Sequence, residues 1–351
     1  MKSAERAALW IVATGVIVAG LYFLRGPLTQ FALALILWLA IDGLAELLDK
    51  RVPFLPRALA LPIAIVLILG LSALVGYVVV RNISDMVASA ADYEARLDAV
   101  ISQAWALFAL PPPAPSVENL IARIDPGRLA TELGAGLQNI ASDIVFILIY
   151  LGFLFPAASV MSDKLDLIFR TPERREEARD VIARIRLSME RYLLTQTVIS
   201  VIITGLTYAT LLAFGLPNAL FWSFLIFFLN YIPTIGSIVA VVLTTAAALV
   251  QMPTLAHVAG VAIGVSVWQF VIGNFLQPRM TGESLNLSAV VVLLALAIWG
   301  LIWGIAGAFL AAPLTVMLMI VLAQFSSTRW IAILLSADGR PTPHDARVSK
   351  A

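Results

Sequence analysis

The chain has no cysteine and only two histidines, His257 and His344, far apart in sequence. That excludes disulfides, thiol catalysis and Cys-ligated metals, and gives no spacing from which a histidine metal site could be read. Charge is scarce as well. Only 13% of residues are charged and the net charge is +1, so no broad field argues for nucleic acid. The scarcity is uneven: from Tyr192 to Pro278 there is no Asp, Glu, Lys or Arg. A soluble domain cannot hide so long an uncharged, largely apolar stretch, so the bilayer must be its solvent. The phosphate loop, the HExxH pair and the nucleophile elbow are missing too, and no enzyme and no cofactor is expected.

What the chain does have is apolar length. It is 61% hydrophobic, and the runs Ala8 to Leu24, Leu28 to Leu48, Leu59 to Val80 and Leu137 to Phe155 each approach the ~20 residues a helix needs to span a ~30 Å core. The first run follows Lys2 and Arg6 and reads as a retained signal anchor. The loop at 49–58 and the segment at 156–191 are rich in Lys and Arg, whereas 81–138 holds four Arg against seven acidic residues. The positive-inside rule therefore puts both termini in the cytoplasm. The expected plan is three spans in 1–80, an extracytoplasmic amphipathic segment at 81–138 with a stiff Pro111-Pro112-Pro113-Ala114-Pro115 joint, and a span at 139–155. A charged cytoplasmic helix at 156–191, a transport core at 192–325 and a cytoplasmic tail at 326–351 complete it. The fold class is all-α, polytopic, with about eight membrane segments.

The second half alternates clean and broken segments. Tyr192 to Phe214 is a clean span, and Asn218 to Val250 is broken by Asn230-Tyr231-Ile232-Pro233-Thr234-Ile235-Gly236-Ser237. Val258 to Gln277 is clean and closed by Pro278. Ser288 to Val321 is broken near Gly300, Gly304 and Gly307 and contains Pro313. With an offset near 70 residues, this predicts two span-plus-broken-helix units in inverted orientation, a plan used by secondary transporters. Asn218 to Ile232 is short for a crossing, which favours re-entrant helices. Proline frees a backbone carbonyl and glycine lets the chain turn, so polar groups at the break must be met by ligand, water or protein. Small residues at four-residue spacing also serve plain helix packing, so the Gly300, Gly304 and Gly307 series supports either reading.

The chemistry available there is neutral. Gln196, Asn230, Thr234, Ser237, Thr244, Thr245, Gln269, Asn274, Gln277 and Asn286 offer uncharged donors and acceptors, suited to a small polar solute or to a monovalent cation held partly by carbonyls. Glu283 is the one carboxylate between Arg191 and Ala337, and Asp42 and Asp143 lie near the ends of earlier spans. Intramembrane acids are candidates for proton coupling.

Three motifs carry a family resemblance. The 230–237 segment resembles the Pro-x-x-Gly signature of the autoinducer-2 exporter (AI-2E) family. Asn274-Phe275-Leu276-Gln277-Pro278-Arg279-Met280-Thr281-Gly282 resembles its Asn/Leu/Pro segment ending in glycine, and Gly300 to Gly307 followed by Pro313 resembles its final glycine-rich block. Ser288-Ala289 departs from it, where members often carry proline. The resemblance implies a homo-oligomeric permease among membrane lipids, with some members exporting a furanone-type signal and others exchanging sodium for protons. The substrate-contact or gating set is then Asn230, Pro233, Thr234, Gly236, Ser237, Asn274, Gln277, Pro278, Gly282, Gly300, Gly304, Gly307 and Pro313. The leading expectation is a secondary transporter of a small polar solute. A sodium(lithium)/proton antiporter using Glu283 and a non-transport membrane scaffold are the alternatives.

Overall fold

The computed structural model describes residues 3–51, 57–88, 90–107, 111, 116, 126–281 and 286–341. Among these residues the chain is helical, without a strand, and one isolated antiparallel bridge joins Leu287 to Ser336. The helices are α1 (Ser3–Phe23), α2 (Arg25–Arg51), α3 (Arg57–Ala88), α4 (Ala90–Leu107), α5 (Pro126–Ser159), α6 (Met161–Ile168) and α7 (Pro172–Ala213). They continue with α8 (Ala219–Leu229), α9 (Ile235–Gln251), α10 (Leu255–Val271), a π-turn (Ile272–Leu276), α11 (Gln277–Thr281), α12 (Ala289–Ala323) and α13 (Arg329–Leu335). Among the described residues, six stretches are long and apolar enough to cross a membrane: Arg25–Lys50, Leu59–Asn82, Ser142–Ser159, Pro172–Ala213, Leu255–Met280 and Ala289–Ala323. Large apolar side chains such as Phe153 (71%), Leu301 (83%) and Ile305 (83%) point outward. That inversion of the soluble pattern is what lipid rewards, because backbone polar groups are already satisfied within each helix.

Two features differ from the sequence expectation. The charged helix and the following span form one continuous helix, α7. Pro172 sits at its first position, where a missing N–H is harmless, and nothing between Leu187 and Leu193 stops the helical ladder. Pro278 does not close its span either. The Gln277 N–H reaches back five residues to the Ile272 carbonyl, and this wider π-turn carries the chain through the proline into α11.

The chain divides into two compact units. The first comprises Met1–Leu47, Ser142–Leu194 and Thr281–Ala351. Its core packs Leu39 of α2, Met189 and Tyr192 of α7, and Leu310, Val316 and Ile320 of α12. Trp303 Nε1 donates to the Leu21 carbonyl (3.1 Å), tying α12 to α1. The second unit comprises Leu48–Ala141 and Thr195–Met280. Its core gathers Ile199, Ile203 and Leu211 of α7, Trp222 and Ile226 of α8, and Val261 and Val265 of α10. A Cβ on Gly264 would come within 2.6 Å of Thr210 Cγ2, so glycine lets α10 approach α7 closely. Trp268 Nε1 then donates to Thr210 Oγ1 (3.0 Å). Arg96 of α4 donates to the Pro253 carbonyl (2.7 Å), and α4 packs on α9. The 112–115 proline joint lies outside the described residues.

Candidate functional site

In the second unit the first broken segment is a helical hairpin. At 11 residues, α8 is about 16 Å long, roughly half of a bilayer core. Its end tightens into i→i+3 bonds, with the Tyr231 N–H on the Phe228 carbonyl (3.1 Å) and the Ile232 N–H on the Leu229 carbonyl (2.9 Å). Pro233 has no N–H to continue the ladder. Thr234 takes a positive φ of 62° and α9 begins at Ile235. The chain has then reversed. A Cβ on Gly236 would fall against the Leu229 carbonyl, its carbon only 2.7 Å away, whereas seven residues along a straight helix separate two positions by about 10 Å. Gly236 is thus required by close backbone approach.

The turn is held by neutral groups of α7. Gln196 Nε2 donates to the Asn230 carbonyl (2.6 Å) and Asn230 Nδ2 donates to Ser200 Oγ (2.9 Å). Thr197 Oγ1 and the Tyr231 hydroxyl share a hydrogen bond (2.7 Å). Gln196, Ser200 and Asn230 are buried. Gln196 and Ser200 are one turn apart on one face of α7, so a stripe of uncharged polar side chains meets the backbone groups that the break releases. The structure brings Asn230, Pro233, Thr234, Gly236 and Ser237 together here, with Thr234 exposed and Ser237 half-buried.

In the first unit, α12 also folds back on itself. Gly304 has φ 64° and ψ −143°, a backbone state open essentially to glycine alone. The limbs 289–303 and 305–323 therefore run in opposite directions. Trp299 Nε1 donates to Thr315 Oγ1 (3.2 Å), although sixteen residues of straight helix would hold these residues about 24 Å apart. A Cβ on Gly307 would fall against the Trp299 carbonyl, its carbon 2.7 Å away, and one on Gly300 would lie 3.9 Å from the Ala308 Cβ. Pro313 is buried in the returning limb. Each broken segment is thus a hairpin with glycine on the returning limb seated against a carbonyl of the outgoing one. Gly236 on Leu229 and Gly307 on Trp299 repeat that arrangement at the expected offset.

Residues 11–327 match the model of the family described as AI-2E family transporter. The chain belongs to the AI-2E transporter family. It is 35% identical over 224 residues to the AI-2 transport protein TqsA of Escherichia coli, a match covering 63% of this chain and 64% of that protein. It is 30% identical over 340 residues to a protein of Haemophilus influenzae named for transport, covering 94% of this chain and 96% of its relative. YhhT of E. coli, also named for transport, is 25% identical over 343 residues and covers 97% and 96%. The protein is therefore a multi-pass membrane transporter.

The remaining candidate residues of this AI-2E transporter fall in several places. In the second unit, the exposed Asn274 side chain donates to the Phe270 carbonyl of its own helix (2.9 Å). Gln277 is half-buried and Pro278 exposed, just beyond the π-turn. Thr244 bonds back to the Ala240 carbonyl (2.8 Å). Gly282 and Glu283 lie outside the described residues.

In the first unit, Asn286 is a structural clamp. Its Nδ2 donates to Asp338 Oδ1 (2.9 Å) and to the Arg340 carbonyl (2.6 Å), and its own carbonyl receives the Ala337 N–H (2.9 Å). The Arg340 N–H and the Asn286 amide hold the Asp338 carboxyl below its ordinary titration range. Asp143 accepts from Gln30 Nε2 (2.7 Å). Asp42 pairs with Arg186, whose Nε also donates to Glu190 (2.6 Å). Sequence reasoning singled out Asp42 but missed Arg186, which looked like one basic residue among many. Arg186 and Glu190 at i and i+4 were the available signal.

Proposed function

We infer that this transporter moves a small, uncharged polar solute across the bacterial cytoplasmic membrane by secondary transport, in the outward direction. The observation that carries this reading is the hairpin break at 230–237. Buried Gln196, Ser200 and Asn230 hold the reversed backbone through amides and hydroxyls and leave Thr234 exposed and Ser237 half-buried at the turn, in a stretch without any carboxylate, ammonium or guanidinium. Such a surface exchanges hydrogen bonds with a neutral polyol or hydrated carbonyl compound and offers nothing to compensate a dianion. In this reading Asn230, Pro233, Thr234, Gly236 and Ser237 bind solute or gate its path at the first hairpin, and Gly300, Gly304, Gly307 and Pro313 do so at the second. Asn274, Gln277, Pro278 and Gly282 flank the path. The chain works as a homo-oligomer among membrane lipids, with both termini cytoplasmic. AI-2, the solute named for the E. coli relative TqsA, heads the panel of cargoes to test.

The test is flux of AI-2 and of neutral polyols in proteoliposomes holding the purified full chain, with and without sodium and proton gradients. Solute flux that falls at least tenfold in Asn230→Ala and survives Glu283→Gln supports the proposal. The antiporter reading predicts instead sodium-dependent proton movement lost in Glu283→Gln, with no solute flux. That pair of results would overturn the solute reading.

A further inference from the structure

The first unit contains a second feature that the transport reading does not use, a cavity of about 530 Å³. It lies wholly among α2, α5, α6, α7 and α12, and its volume falls within the range of small-molecule sites. The walls are apolar, with Trp38, Phe155, Ile185 and Met317, and the small residues at 157–159 leave the space open. Its polar lining is concentrated in Asp42 and Arg186. Arg186 is shared: it pairs with Asp42, donates through Nε to Glu190 (2.6 Å), and lies 3.7 Å from Glu46. Asp42 Oδ2 is buried and, its ion pair with Arg186 aside, accepts no hydrogen bond. One guanidinium thus serves two carboxylates, Asp42 and Glu190, which disfavours an anionic headgroup at this end and favours a cationic one.

The pocket is open on one side, and an apolar body lying against its Trp38, Phe155 and Met317 wall gains dispersion contacts there. We propose that this cavity is a binding site for an amphiphilic cation, with its apolar body against Trp38, Phe155 and Met317 and its ammonium group at Asp42. The geometry is that of a site for one molecule with a single charged end. A free lipophilic amine has this chemistry, whereas a phospholipid headgroup also carries a phosphate that the carboxylates at this end would repel.

Trp38 in the wall supplies the readout. The purified full chain in neutral maltoside micelles is titrated with 12-bromododecyl-trimethylammonium, and with 12-bromododecyl sulfate as the anionic control. Quenching is compared with that of Trp38→Phe, so that the Trp38 component is isolated from the other tryptophans. The expected result is saturable quenching of that component by the cation at concentrations about tenfold below those at which the sulfate acts. Removing the charge in Asp42→Asn should weaken the cation about tenfold, the loss of one charge-assisted contact. Filling the space in Ala158→Leu should abolish saturation while leaving the ion cluster intact, so the outcome does not depend on Asp42→Asn folding normally. In phosphatidylcholine nanodiscs the saturable quenching of Trp38 by the cation should persist, and its loss there would show that bilayer lipid fills the pocket and would count against the proposal. Equal quenching by cation and sulfate, or saturation unchanged in both variants, would overturn the proposal.

Discussion

Replacing Gly236 by alanine tests the first hairpin most directly. The added methyl would lie 2.7 Å from the Leu229 carbonyl carbon and closer still to its oxygen, against an ordinary heavy-atom separation of about 3.5–4.0 Å. One limb must therefore recede by about 1 Å. The obstacle is backbone, which cannot rotate away as a side-chain tip can, and the same Leu229 carbonyl already receives the Ile232 N–H at 2.9 Å. Overpacking a tight site by one methyl costs about 1–3 kcal/mol, here at the upper end. Relieving the entropy of a helical glycine returns about 0.5–1 kcal/mol, leaving a net loss of about 2 kcal/mol. Gly205 provides the control, because it is also helical and a Cβ there meets nothing within 4 Å. Gly205→Ala should be neutral or slightly stabilising. The assay is the apparent melting temperature of the full chain in one detergent at one scan rate, since unfolding of such proteins is under kinetic control. Gly236→Ala should melt several degrees below Gly205→Ala and lose flux in proteoliposomes. Equal melting temperatures for the two variants would refute the close approach on which the hairpin reading depends.

The other predictions follow from the same geometry. Gly307→Ala should repeat the Gly236→Ala loss in the first unit, because its methyl meets the Trp299 carbonyl carbon at 2.7 Å. Gly304→Ala should also destabilise, by about 1–3 kcal/mol, but through backbone strain at φ 64° with no atom within 4 Å of the new methyl. Enlarging it further to serine should add little, and the same melting assay checks both. Gln196→Leu should cost about 1–3 kcal/mol, because it leaves the Asn230 carbonyl buried without its donor. A double-mutant cycle with Ser200→Ala would report the coupling. The clamp between Asn286 and Asp338 should be pH-dependent. Asp338 has a folded-state titration below its ordinary value of 3.8, so its contribution is full above that value and is lost as pH falls through the lowered one. Hydrogen exchange of the Ala337 and Arg340 amides should quicken across that window, and Asp338→Asn should show weakened protection already at neutral pH.

Local chemistry made the two hairpins readable before any coordinates. Pro233 removes a donor and Gly304 permits a turn, effects that act within a few residues and leave their mark in the sequence itself. The same local rules failed at Pro278, where a π-turn absorbs the proline, and at Arg191/Tyr192, where a change of solvent was taken for a change of element although the α7 ladder runs straight through. Partners distant in the chain were illegible. Asn286 meets Asp338, 52 residues on, so an amide assigned to a polar path serves as a clamp. Asp42 meets Arg186 only because α2 and α7 pack in one unit, and nothing around either residue announces the other.

The glycine-on-carbonyl device also explains why the pattern recurs. A helix that reverses inside a membrane must bring two limbs close enough to exclude lipid from the turn, since its released backbone groups have no water to meet. Closeness requires a residue without a Cβ on one limb, at the level of the other limb's last helical carbonyls. Gly236 against Leu229 and Gly307 against Trp299 satisfy that requirement 71 residues apart, but by different turns. One uses a proline and a positive-φ threonine; the other uses a single glycine at φ 64°. If the turn sequence were what matters, the two would be alike. What the two segments share is the seat, so substitutions at Gly236 and Gly307 should be refused by both hairpins, while the turn residues of each tolerate the changes that its own turn type allows.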